Sequence, residues 1–233
     1  MMNTVDLILE SSVKFYDTLK KDENGRYRSW EHCYSNFINA RDNKNAEWDY
    51  LSLQLAFYLA SWGMYRGSSF LLQKDYKIHI PVVKELLKEE YDPLAGIDCV
   101  ELKREENQRL LENINAFLDE YYSNIRDEVK NIKVRNQLSS TLITKILMGT
   151  LGCVPAYDRY FISGIKKQKV ASGNYNMKSI GQLVDFYESN IVELENIRKD
   201  MKVNGMAYPQ MKILDMAFWQ LDLIQINKMS IFR

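Results

Sequence analysis

Apolar residues recur along this chain at intervals of three and four, the period of a helix that buries one face. Val5, Ile8, Leu9, Val13 and Tyr16 set the rhythm and predict a first helix from Thr4 to about Leu19. Thr4 stands where an N-cap would, with Asp6 near the positive end of the helix dipole. After a polar turn around Gly25, Ser29 is placed to cap a second helix. A third, from about Ala46 to Trp62, carries a stripe of Trp48, Leu51, Leu55, Tyr58, Leu59 and Trp62. Leu53, Ala56, Phe57 and Ala60 make most of its other side apolar too. A helix apolar nearly all round is expected at the centre of a domain.

Gly63 ends that helix, and Pro81 suits the first turn of another ending near Glu90. A polar loop at 92–100 holds Asp92, Pro93 and Gly96. The longest candidate runs from Glu101 to about Lys130 and either spans the domain or breaks near Ser123. Ser179 is placed to cap a helix to about Met201, and Pro209 begins a last amphipathic helix through Ile213, Trp219 and Ile224. Strand-like alternation is confined to Tyr76–Ile80 and stopped by Pro81. The pattern predicts an all-α chain, one globular domain over 1–233 of about nine helices. The loop at 92–100 is the best place to divide it into lobes 1–95 and 96–233.

Charge then narrows the partners. Lys plus Arg and Asp plus Glu are both 31, so the net charge is zero. A protein that grips long stretches of phosphate backbone shows a positive excess, so only a local patch could do so here. Cys33, Cys99 and Cys153 have neither CxxC nor zinc-knuckle spacing and read as buried reduced thiols. The N-terminus lacks the basic and long apolar regions of a signal peptide. The most apolar window, Leu51 to Tyr65, is interrupted by Ser52, Gln54 and Ser61 and is too short to span a bilayer. The expectation is a cytoplasmic protein without a membrane partner.

Marked chemistry is sparse. His32 and His79 belong to no HxxxH or HExxH arrangement, so no metal site is expected. No GxSxG elbow, P-loop or GxGxxG is present, and no cofactor is implied. In Trp62–Ser69, however, Ser68 or Ser69 could cap a following helix whose free N–H groups hold an anion, with Arg66 adding a charge-assisted contact. The plainer alternative is a tight turn with Arg66 paired to an acid. Trp48, Trp62 and Trp219 read as core rather than as stacking platforms.

The stretch Thr141–Ser163, TLITKILMGTLGCVPAYDRYFIS, differs in kind. An apolar helix ends at Gly149 or Gly152, and a second opens at Pro155 with Asp158 at its start, beside Tyr157, Arg159 and Tyr160. A carboxylate there can cap the helix, or, at the mouth of a groove, orient water and stabilise a developing cation. In the order Gly152, Pro155, Asp158 this segment resembles the helix–hinge–Asp segment of helix-hairpin-helix DNA glycosylases. The resemblance implies that Asp158 is the catalytic acid beside a flipped base. The family's Leu-Pro-Gly-Val-Gly hairpin should lie just upstream, where this chain has VRNQLSST. The family's lysine would fall near Leu142, with Lys145 about a turn further on, and there is no iron–sulfur cysteine set.

Two functions follow. One is a non-catalytic helical interaction or accessory module with a protein partner or a second copy of itself, favoured by zero net charge and the missing hairpin. The other is a glycosylase-like, nucleic-acid-binding protein that uses Asp158, with Lys145 and Arg159 as nearby cations. A small-molecule enzyme built on the Arg66 loop has less support.

Overall fold

The computed structural model describes residues 3–41, 43, 46–129 and 138–231, with backbone alone from 224 onward. The fold is all-α, with 73% of the described structure helical. Its helices are α1 (Thr4–Lys21), α2 (Ser29–Arg41), α3 (Trp48–Ser61), α4 (Ile80–Leu86) and α5 (Glu105–Glu128). There follow α6 (Ser140–Thr150), α7 (Arg159–Lys167), α8 (Met177–Ser189), α9 (Ile191–Arg198) and α10 (Gln210–Ile231). Short 3-10 turns fill several connections, including Tyr76–His79, where alternation hinted at a strand. Among the described residues the only sheet is a hairpin of β1 (Lys202–Val203) and β2 (Met206–Ala207).

Several boundaries differ from the sequence pattern because local caps decide them. Asn3, not Thr4, caps α1 by accepting from the Asp6 N–H at 2.8 Å. Ser29 is the first residue of α2 and follows a 3-10 turn, Arg26–Arg28, so it does not cap. Asn176 caps α8 in place of Ser179, and Asn190 breaks the expected single helix into α8 and α9. The last segment expected before Asp92 stops early, at Leu86, and α5 runs through Ser123 unbroken.

The largest correction concerns the centre. α10 packs along α1 and also against α7, and its residues from Met211 to Leu221 are buried on every side except at Gln220. Lys212, Asp215 and Asp222 lie inside with the apolar side chains, each neutralised by an opposite charge. α3, expected there, packs on α2 and leaves Leu53 48% and Phe57 59% exposed. Trp48 is exposed as well, its ring covered by the Lys84 ammonium at 4.1 Å. Apolar composition all round α3 therefore gives an exposed apolar stripe rather than a central helix.

Candidate functional site

Three distant segments meet at one end of α3. Its last turn closes as a Schellman motif: Met64 N–H reaches the Leu59 carbonyl at 2.8 Å and Gly63 N–H the Ala60 carbonyl at 2.9 Å. Gly63 sits at φ +78°, a conformation that costs glycine least. The chain then folds back, so that a Cβ on Gly63 would lie 3.2 Å from Arg66 Cζ. Ser69 accepts from Leu71 N–H and caps only a single 3-10 turn, Phe70–Gln73. Tyr65 anchors the loop through its hydroxyl, 2.7 Å from His79 Nε2, while His79 Nδ1 meets the Tyr122 hydroxyl at 2.5 Å. Burial pushes the His79 pKa down to about 3, so the imidazole is neutral and bridges the loop to α5.

The second segment is the link from α6 to α7, which is buried from Leu151 through Tyr157. The sequence places the second helix at Pro155; in fact it begins at Arg159, and Pro155 lies in an extended connection. Buried backbone must find partners, and here side chains supply them. Thr141 Oγ1 donates to the Tyr157 carbonyl at 2.8 Å, and Tyr157 N–H donates to Thr144 Oγ1 at 2.9 Å. Ala156 N–H donates to Asp215 Oδ1 at 2.9 Å. Gly152 turns the chain at φ +68°, where a Cβ would lie 2.5 Å from Pro209 Cγ. The link thus delivers Asp158 to a fixed position. The family-like hairpin position falls partly on 130–137, outside the described residues, and the remainder runs into α6 with Ser139 as its cap.

Asp158 caps α7 and does more. Its Oδ1 accepts from the N–H groups of Tyr160 and Phe161 at 3.0 and 3.1 Å. Its Oδ2 is 3.1 Å from Lys145 Nζ, with side-chain exposures of 3% for Lys145 and 15% for Asp158. A carboxylate offers about four acceptor positions, so roughly one remains for a ligand or water. The Lys145 ammonium also faces the Trp62 ring, 5.0 Å from its centroid.

Around this pair opens a cavity of about 610 Å³, within the range of small-ligand sites. Asp158, Lys145, Arg66, Ser68, Ser69 and Arg159 all line it. Its aromatic wall is continuous: Trp62 and Trp219 are 5.8 Å apart, and Tyr27 packs on both at 5.1 and 5.4 Å. Tyr160 meets Trp219 at 5.5 Å. Trp62 and Trp219 are therefore core and cavity wall at once.

The lining carries five cationic side chains, the sixth charged member being Asp158. Arg26 and Arg126 join Arg66, Lys145 and Arg159, and the capped N-termini of α6 and α7 add positive potential. A chain with zero net charge thus concentrates positive charge in one place, which suits an anionic ligand with a flat apolar part. Among the described residues no cluster of three or more His, Cys, Asp or Glu could hold a metal ion.

Sequence reasoning overlooked Arg26, Tyr27 and Arg126. A signal existed for the first two, because the dipeptide Arg–Tyr occurs at 26–27 and again at 159–160. Nothing in the spacing could have brought a polar turn near residue 26 beside α7. The three thiols are buried, and desolvation raises each of them, Cys153 to about 12, which leaves them inert. No described helix is long and apolar enough to cross a membrane. No family model matches the chain, and no curated protein and no solved structure matches it either.

Proposed function

We propose that this protein binds nucleic acid, takes one nucleotide out of the stack into the cavity, and cleaves its N-glycosyl bond in the manner of a DNA glycosylase. The observation that carries the reading is the meeting of Asp158 and Lys145 with a continuous aromatic wall inside one electropositive cavity. Aromatic rings offer a base the stacking that it loses on leaving a strand. When the C1′–N bond breaks, its electron pair leaves with the base and positive charge develops on the sugar. Two backbone N–H groups fix the Asp158 carboxylate, which in this reading faces that charge without reorganising. Water then adds at C1′ and loses a proton, which the released base takes up on the nitrogen that held the bond. Lys145 holds the second carboxylate oxygen and keeps the half-buried acid neutralised while the site is empty of substrate.

The test is a panel of duplexes, each with one damaged or mispaired base, assayed at low salt for binding and for base release. Binding with quenching of tryptophan fluorescence, followed by release from at least one member, is expected. Absence of binding at low salt, where phosphate contacts are strongest, contradicts the reading.

The exposed stripe of Tyr50, Leu53 and Phe57 on α3 favours the second reading, a helical interaction module. Light scattering of wild type and Leu53→Glu separates the two. A dimer that dissociates on this change while every duplex goes unbound supports the module.

A further inference from the structure

Nine arginines lie among the described residues, and six of them are ion-paired: Arg28, Arg41, Arg104, Arg109, Arg126 and Arg198. The other three, Arg26, Arg66 and Arg159, have no carboxylate partner among the described residues, and all three line the cavity. Partners are not scarce, since acids equal bases at 31 each. Among the described residues, guanidinium groups without a carboxylate partner are therefore confined to one place.

Two of the three are held in the same way. The Arg26 guanidinium lies 4.7 Å from the Tyr27 ring centroid and donates to the Tyr27 hydroxyl at 2.9 Å. The Arg159 guanidinium lies 4.5 Å from the Tyr160 ring centroid and donates to the Tyr160 hydroxyl. Each tyrosine packs in turn on Trp219, at 5.4 and 5.5 Å. Stacking fixes the plane of each guanidinium and leaves most of its five N–H donors free. Arg66 is held differently, its Cζ close over Gly63. All three are exposed, and the rings of Tyr27 and Tyr160, on which Arg26 and Arg159 stand, belong to the cavity wall. Preorganised, unpaired and planar donors match phosphate oxygens better than lysines would.

We propose that Arg26, Arg66 and Arg159 form a phosphate clamp at the cavity mouth, gripping the strand backbone next to the nucleotide whose base enters. The proposal rests on the reading that the ligand is nucleic acid. It gives these arginines the phosphate-gripping work that the backbone amides of the Leu-Pro-Gly-Val-Gly hairpin do in the family the α6–α7 segment resembles. A net charge of zero is compatible with it, because three contacts need only three charges.

The experiment measures binding of a fluorescent single-stranded oligonucleotide and of a duplex with one unpaired base, from 50 to 300 mM salt. Wild type is compared with Arg26→Ala, Arg66→Ala and Arg159→Ala. The ion-paired, exposed Arg104→Ala and Arg109→Ala serve as controls. Each clamp variant should bind about tenfold more weakly whatever the sequence, with the log–log salt slope reduced by about one. The controls should match wild type. Wild-type binding whose slope none of the three changes would overturn the clamp and leave the nucleic-acid reading standing. No wild-type binding to either probe overturns both. A nucleoside monophosphate that competes as well as the oligonucleotide overturns the strand as the clamp's ligand. Loss of base release without loss of affinity in Asp158→Asn belongs to the chemistry alone, so the two ideas fail separately.

Discussion

Two lysine–aspartate pairs face the same indole ring. Lys145 Nζ is 5.0 Å and Lys212 Nζ 5.2 Å from the centroid of Trp62. The Lys212–Asp215 pair, at 2.7 Å with side-chain exposures of 2% and 7%, is surrounded by Phe15, Trp30 and Trp62. It does not line the cavity, and its free oxygen holds the Ala156 N–H of the α6–α7 link. The Lys145–Asp158 pair does line the cavity, and its aspartate is twice as exposed. The same two residue types therefore serve different ends. One pair supports the link that carries Asp158; the other presents Asp158 to the cavity.

Breaking the sealed pair should cost more. Asp215→Ala leaves the Lys212 ammonium buried among aromatic rings and frees a buried N–H, and removal of one partner of a buried pair costs about 3–5 kcal/mol. Asp158→Asn keeps the cap, since asparagine caps nearly as well, but leaves Lys145 without its counter-charge, for a loss of about 1–3 kcal/mol. Urea denaturation of the two variants checks the order. Equal losses would show that burial does not distinguish the pairs.

The two faces of α3 allow a comparison of the same form. Leu55→Ala, at a side chain with no exposure, should cost about 2–5 kcal/mol. Phe57→Ala, two residues on and 59% exposed, should stay within about 0.5 kcal/mol. Thermal melts in parallel would decide it, and a large loss at Phe57 would mean that the stripe is covered in solution.

His79 is buried without a charge partner among the described residues and sharpens the contrast with both pairs. Its pKa is lowered to about 3 in the fold, against an ordinary value of 6.5, so the unfolded chain binds the proton between those values. Stability from this group is complete above the unfolded pKa and falls as pH drops towards the folded one, by at most about 1.4 kcal/mol per pH unit. Denaturation from pH 7 to 4 should show that slope in wild type and a shallower one in His79→Gln. Identical slopes would exclude His79 as their source.

Much of the fold was legible because helical period and glycine or proline breaks are local signals. α1, α5 and α6 follow from their stripes, and Gly63 and Gly152 turn the chain near where they were expected to. The choice of central helix was not legible. α10 hides Lys212, Asp215 and Asp222 by pairing them, which no hydrophobic count records, while apolar α3 is left half uncovered. In the candidate site, Asp158, Lys145, Arg159 and Arg66 stood out by their neighbours in sequence. Arg26 and Tyr27 did not, because a turn between α1 and α2 reaches the cavity only through the packing of α1 and α2 on distant helices. Net charge is silent on where charge gathers, since pairing elsewhere removes charge from the surface and leaves cationic side chains around the cavity.

The most direct measurement is single-turnover base release by wild type and Asp158→Asn on whichever duplex wild type binds best. The variant should bind with little change in affinity and release base at least about a hundredfold more slowly, as loss of a fixed charge at a developing cation requires. Release at the wild-type rate would show that Asp158 only caps α7 and pairs with Lys145, and that the cavity binds without cutting.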